Sequence, residues 1–279
     1  MKRAALLLLT LLGVLGRLVA AHSQKPEEPE ANPGRPTVST PATLTPLGYL
    51  QFETGFEGAR HSPEFRSRYS FGEAMKVSVS RRLELLASGE PVARFTAEGD
   101  SGSRVADIFL GAQGVLRHGE GAKPTVALSY FHRVYDGGAP EFDFGSPTNS
   151  FLVLASADLK GFHYDANAFL TELVQESVRR AQFGQSLTIS HPFRRRFTVS
   201  VRHGASHNHF CAATQLAICG RLATPCEKHW FFDVGLDYGL THSSTGEAVF
   251  AGFTYLLPIV FGPRMQFSGV EVATKHSAK

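Results

Sequence analysis

A run of side chains that changes character at every step constrains this chain more than any other feature. In WFFDVGLDYGLT, residues 230–241, Trp230, Phe232, Val234, Leu236, Tyr238 and Leu240 fall on one face of an extended strand. Phe231, Asp233, Gly235, Asp237, Gly239 and Thr241 fall on the other. Successive strand side chains point to opposite sides of a sheet, so the pattern predicts a wall with one oily face and one small or acidic face. Which face holds the core is the question that decides the fold.

The same period of two returns from Tyr49 onward. It predicts strands at 49–56, 75–80, 83–88, 107–113, 125–134, 151–158, 162–168, 182–189, 197–202, 230–241 and 249–255, with a weaker twelfth at Met265–Val272. Short connections are expected at Ser80-Arg81-Arg82, Lys160-Gly161, His191 to Arg194 and His242 to Gly246. Longer ones are expected at Gly89–Arg104, Asp136–Asn149, Thr171–Arg180 and His203–His229. Short turns at one rim and long loops at the other are the pattern of an outer-membrane barrel. The predicted fold class is therefore all-β, an antiparallel up-and-down transmembrane β-barrel of about 12 strands.

In such a barrel the apolar faces meet lipid and the polar faces line the lumen, the reverse of a soluble barrel. Several strands extend to the roughly nine to eleven residues that a tilted membrane strand needs. Inward candidates are rich in Gly, Ser, Thr, Asp and Asn, and several of the 7 Tyr and the single Trp lie near strand ends, as an aromatic girdle requires. On this reading Trp230, Phe232, Val234, Leu236, Tyr238 and Leu240 face lipid. Glu53, Lys76, Asp107, Arg133, Asp158, His163, Asp165, Arg202, Asp233 and Asp237 share the lumen, where they either pair to brace it or filter a solute electrostatically.

The amino terminus has a basic start, an apolar run from Ala4 to Leu15 and small residues at Val19-Ala20-Ala21, the layout of a secretory signal peptide over residues 1–21. Residues 22–48 include KPEEPEANPGRPTVSTPATLTP and predict an extended, Pro-rich periplasmic tether. The barrel is assigned to 49–273 and a tail to 274–279. Export leads to a compartment where disulfides form, and an odd set of three, Cys211, Cys219 and Cys226, predicts one loop bridge and one unpaired thiol. The spacing matches no zinc module, so no metal and no cofactor are expected.

A formal net charge of +3 with scattered basic residues argues against nucleic-acid binding. The run Gly99-Asp100-Ser101-Gly102 looks like part of a serine-protease motif but lacks an upstream base, and a turn is the expected structure. Arg194-Arg195-Arg196 reads as a basic turn at the periplasmic rim. No catalytic residue is assigned.

The stretch Arg35–Val38 with Pro46–Phe56, the segment Glu73–Val79 with Arg82-Leu83-Glu84-Leu85, and the late Val249-Phe250-Ala251-Gly252-Phe253-Thr254-Tyr255 resemble a bacterial outer-membrane transporter family. Its members are labelled for the meta-pathway of phenol degradation. The resemblance implies an outer-membrane location in a Gram-negative-type bacterium and passive passage of small, aromatic or hydrophobic molecules. Expected partners are outer-membrane lipid and such a solute, with the oligomeric state open. Two alternatives remain at this stage: a structural or surface-interaction barrel, and a secreted soluble β-protein binding an apolar ligand.

Overall fold

The computed structural model describes residues 29–34, 39–140, 147–175, 178–193, 197–207, 212–223 and 229–259. Every regular element among them is a strand. The first six are β1 Tyr49–Arg60, β2 Ser67–Ser80, β3 Leu83–Ala97, β4 Asp100–Arg104, β5 Ile108–Arg117 and β6 Thr125–Tyr135. The remainder are β7 Pro147–Leu159, β8 Phe162–Gln175, β9 Val178–Phe193, β10 Phe197–His207, β11 Ala212–Ala223, β12 Trp230–Gly239 and β13 Glu247–Pro258.

All neighbouring strands pair antiparallel, and the sheet closes on itself because β13 pairs with β1 along its whole length, from Tyr49 opposite Pro258 to Arg60 opposite Glu247. Strand β4 pairs only with β3, and does so in the register that β5 continues: Ala93 faces Arg104, and Gly89 faces Ile108. β4 and β5 are thus one barrel stave interrupted at Val105-Ala106-Asp107. The ring proper has twelve staves, an even number, as antiparallel closure of an up-and-down barrel requires.

The faces of these strands settle the orientation of the wall. Val234 and Leu236 are each 61% exposed, whereas Gln51 and Glu53 are completely buried. Phe71, Val92, Phe151, Val153 and Phe183 are also exposed, and Ser129, Ser156, Asp165, Asn167 and Thr254 are buried. An apolar exterior around a polar interior is stable only where the exterior solvent is lipid. The chain is an outer-membrane β-barrel.

Loop lengths, by contrast, do not sort as the sequence suggested. β8 runs to Gln175 and β9 begins at Val178, so the long connection expected at Thr171–Arg180 is a tight hairpin. Gly89–Arg104 is mostly the end of β3 plus β4, and the long loop expected at His203–His229 contains β11. Both were obscured for a physical reason. Residues 171–180 carry polar side chains on both faces, and AATQLAICGRLA carries small and apolar ones on both, so neither shows clean alternation. Where the turn chemistry is strong, the expectation is met: Lys160 and Gly161 have φ of 53° and 84°, the left-handed pair that a two-residue hairpin demands.

The ring closes at β13, before Met265–Val272; that segment, residues 1–21 with their expected signal peptide, the expected tail 274–279 and Arg194–Arg196 lie outside the described residues. Residues 29–34 and 39–47 correct the expectation of a tether outside the barrel. Ala31, Ser39, Ala42 and Thr45 are buried; Ala31 packs against Phe231 and Leu256, and the other three are hydrogen-bonded to side chains on the inner wall. The composition that suggests an unpacked linker, small residues and proline, is also what fits a chain into a narrow lumen. Proline has no N–H to satisfy, and small side chains let the backbone approach the wall.

Candidate functional site

The strap formed by residues 29–34 and 39–47 enters the lumen beside β1. There Gln51 Oε1 accepts from the Asn32 backbone N–H at 2.7 Å, its Nε2 donates to the Asn32 carbonyl at 2.7 Å, and Glu53 accepts from the Gly34 N–H at 3.1 Å. The strap reappears on the far wall, where Ser39 bonds Ser186 of β9 at 3.0 Å. It then travels back along the inner surface. Asn167 of β8 donates to the Thr40 carbonyl at 3.1 Å, Ser156 of β7 accepts from Ala42 N–H at 2.8 Å, and Gln113 of β5 donates to the Pro41 carbonyl at 2.9 Å.

At its end Glu84 of β3 accepts from the Thr45 N–H at 2.7 Å, and Ser78 of β2 donates to the Thr45 carbonyl at 2.5 Å. Asn32 also donates to the carbonyl and hydroxyl of Thr43, at 2.7 and 2.9 Å. The strap is therefore a hoop fastened to itself, with wall contacts distributed from β1 to β9. Burial of polar groups is tolerable only when each finds a partner, and the inner wall supplies amides, hydroxyls and carboxylates at those places.

Seven of the proposed lumen residues are brought into contact with one another. Lys76 pairs with the buried Glu53 at 2.6 Å, and Arg133 pairs with the buried Asp107 at 2.9 Å and with Asp136 at 3.2 Å. His163 lies 2.8 Å from Asp158 and 3.2 Å from Asp165; Asp165 is buried and accepts from Ser156 at 2.6 Å. Asp158 is exposed at the rim. Asp233 and Asp237 occupy the inner face of β12, alternating with exposed Phe232, Val234, Leu236 and Tyr238 and half-buried Trp230. Leu240, just beyond β12, is exposed.

Arg202 lies on β10, opposite Thr188 of β9, and Cys219 lies on β11, opposite Gly235; only their backbone placement is described. Cys211 and Cys226 lie outside the described residues, so the bridge expected there is likewise outside them.

The sequence reading missed other interior groups. Arg68 is almost fully buried and pairs with Glu90, and Gln51, Glu84, Gln113 and Asn167 anchor the hoop. Their inward parity was readable for Gln51, Glu84, Gln113 and Asn167. The partner they meet, a segment assigned elsewhere, was not. Among the described residues no group of three or more His, Cys, Asp or Glu side chains is arranged to hold a metal ion.

The interior is not uniformly polar. Val115, Ala127 and Leu154 pack with Ala42 of the strap, joined by Leu44 and Leu152. Further along β6 Phe131, and on β8 beside β7 Phe169, also point inward and are half-buried. The charged pairs Glu53–Lys76 and Arg68–Glu90 instead belong to β1, β2 and β3.

No protein-family model matches the chain, and no curated protein sequence matches it. Among solved structures it is similar to an outer membrane channel from Pseudomonas putida F1, with a TM-score of 0.55 and 13% identity over 84% of this chain and 100% of that one. It is also similar to the KdgM porin in complex with disordered oligogalacturonate, with a TM-score of 0.50 and 8% identity over 74% of this chain and 98% of that one. At these identities the likeness concerns the fold, and it agrees with the inside-out wall described above.

Proposed function

We propose that the protein is a passive outer-membrane channel for small molecules, narrowed by its own N-terminal strap. The observation that carries this reading is the hoop. A closed ring with a polar interior provides a water-compatible path through lipid, and a segment hydrogen-bonded around that interior restricts the path to small solutes. Covalent chemistry is no part of the proposal. The rim that holds the start of β1 and the end of β13 is the periplasmic one, following the usual placement of barrel termini. The solute class suggested by the family resemblance, aromatic or other hydrophobic molecules of the kind handled in phenol degradation, belongs to this proposal. The ten charged or titratable lumen candidates act on this reading mainly as braces, since seven of them meet one another.

Planar-bilayer recording tests the proposal. The full chain is expected to conduct in small steps, and deletion of residues 29–46 is expected to enlarge each step severalfold. A full chain that inserts and stays silent would overturn the channel reading in favour of a structural barrel.

A further inference from the structure

On the inner wall two phenylalanines stand directly across from glycines of the next strand. Phe131 of β6 is opposite Gly111 of β5, and Phe169 of β8 is opposite Gly184 of β9. A methyl group placed on Gly111 would lie 2.7 Å from both Phe131 Cδ1 and the Tyr130 carbonyl oxygen, and one placed on Gly184 would collide with the tip of the Phe169 ring alone. Each ring therefore lies across the bare backbone of its neighbour, the arrangement by which an aromatic covers a cross-strand glycine. A ring held this way has one face against the wall. In a closed barrel its other face can meet only the lumen.

Both rings are half-buried, and Leu152 of β7 lies between them, opposite Phe169 and continuous with the apolar cluster that includes Leu44 of the strap. The tier is bounded by polar groups on either side along the strands. Arg133, paired with Asp107, follows Phe131 on β6, and the Ser129–Gln113 contact at 3.3 Å precedes it. The occupant is limited by the closed wall and the hoop to something small. The two flat faces favour a flat one, because offset stacking on an aromatic face requires a planar partner.

We infer that Phe131 and Phe169 are the specificity-determining residues of the lumen, two ring platforms that hold a planar aromatic solute between the polar tiers. The inference deepens the channel reading and rests on it. The solute would stack on one ring and pass over Leu152 to the other, with no bond made or broken. Stacking is sequence-tolerant chemistry in the sense that any planar π-face serves, so the platforms would select for planarity rather than for a particular substituent.

The test is current block in planar bilayers holding the full chain, comparing benzoate with cyclohexanecarboxylate. The two probes share charge and size and differ in planarity. Benzoate is expected to block more tightly, and Phe131→Ala and Phe169→Ala are each expected to weaken its block by about two- to tenfold, the range an aromatic pair supports. Block by cyclohexanecarboxylate should change little. Gly184→Ala keeps the Phe169 ring but lifts it from the wall, and is expected to weaken benzoate block while ionic conductance persists. Equal block by both probes, or benzoate block unchanged in both alanine variants, would overturn the inference and leave the channel standing. Absence of any ionic current in the inserted full chain would overturn the channel reading, and the platforms with it.

Discussion

The inner surfaces of β1–β3 and β5–β8 are built on the same pleat and face the same lumen, yet they mix charge and apolar surface differently. On β1–β3 the interior carries Gln51, Glu53, Arg68, Lys76, Ser78, Glu84 and Glu90, joined by ion pairs and strap contacts. On β5–β8 Val115, Ala127, Leu152, Leu154, Phe131 and Phe169 stand among polar side chains that include Gln113, Ser129, Arg133, Ser156, Asp165 and Asn167. The charged half spends its polar groups on one another and on the strap, so little remains to meet a solute. On β5–β8 Gln113, Ser156 and Asn167 likewise hold the strap and Arg133 pairs with Asp107, so what differs there is the apolar surface of Leu152, Phe131 and Phe169. An enclosed surface that must be both stable and available can divide the two tasks between its sides.

The comparison breaks first at the buried ion pair. Lys76→Met leaves Glu53 buried without its cation and is expected to cost about 3–5 kcal/mol, seen as an earlier urea midpoint for unfolding from vesicles. Adding Glu53→Leu to that variant should recover most of the loss, since replacing both members of a buried pair by apolar groups is often neutral. A double variant as weak as the single one would show that Glu53 matters for its strap contact instead.

Leu154→Ala on the other half should cost about 3 kcal/mol by opening a cavity, with the same unfolding measurement. Val153→Arg, one residue away but on the lipid side, should cost about 2 kcal/mol near the membrane midplane; an unchanged heat-modifiable gel mobility would mean that this stretch lies outside the hydrocarbon. The smallest effect is expected from Ser156→Ala, which removes the acceptor for Ala42 and the donor to Asp165. It should cost about 1 kcal/mol and raise the noise of the open-channel current as the hoop loosens on that side.

Much of the architecture was legible in the chain because a barrel wall imposes period two on every stave, and Trp230–Thr241 states that period without interruption. Alternation alone left the inside and outside undecided for a chain of this composition; the exposure of Val234 and the burial of Glu53 decide it. β11 stayed hidden because small and apolar residues suit both of its faces. The strap stayed hidden because its partners are far away in sequence: Ser39 meets Ser186, and Asn167 meets Thr40. A proline-rich, mostly small-residue stretch reads alike whether it hangs in water or lies against a polar wall. The ring platforms escaped notice because the glycines that seat them lie on other strands, and only register pairs Gly111 with Phe131 and Gly184 with Phe169.

The hoop also bears on the order in which the molecule can be assembled. Its anchor points belong to β1, β2, β3, β5, β7, β8 and β9, while the seam that shuts the ring joins β1 to β13, the first and last staves. Contacts between distant parts of a chain form late because closing the intervening loop is entropically costly. The staves up to β9 can therefore gather along the strap while the wall is still an open sheet. The seam then seals a vessel around a stopper that served as its mould.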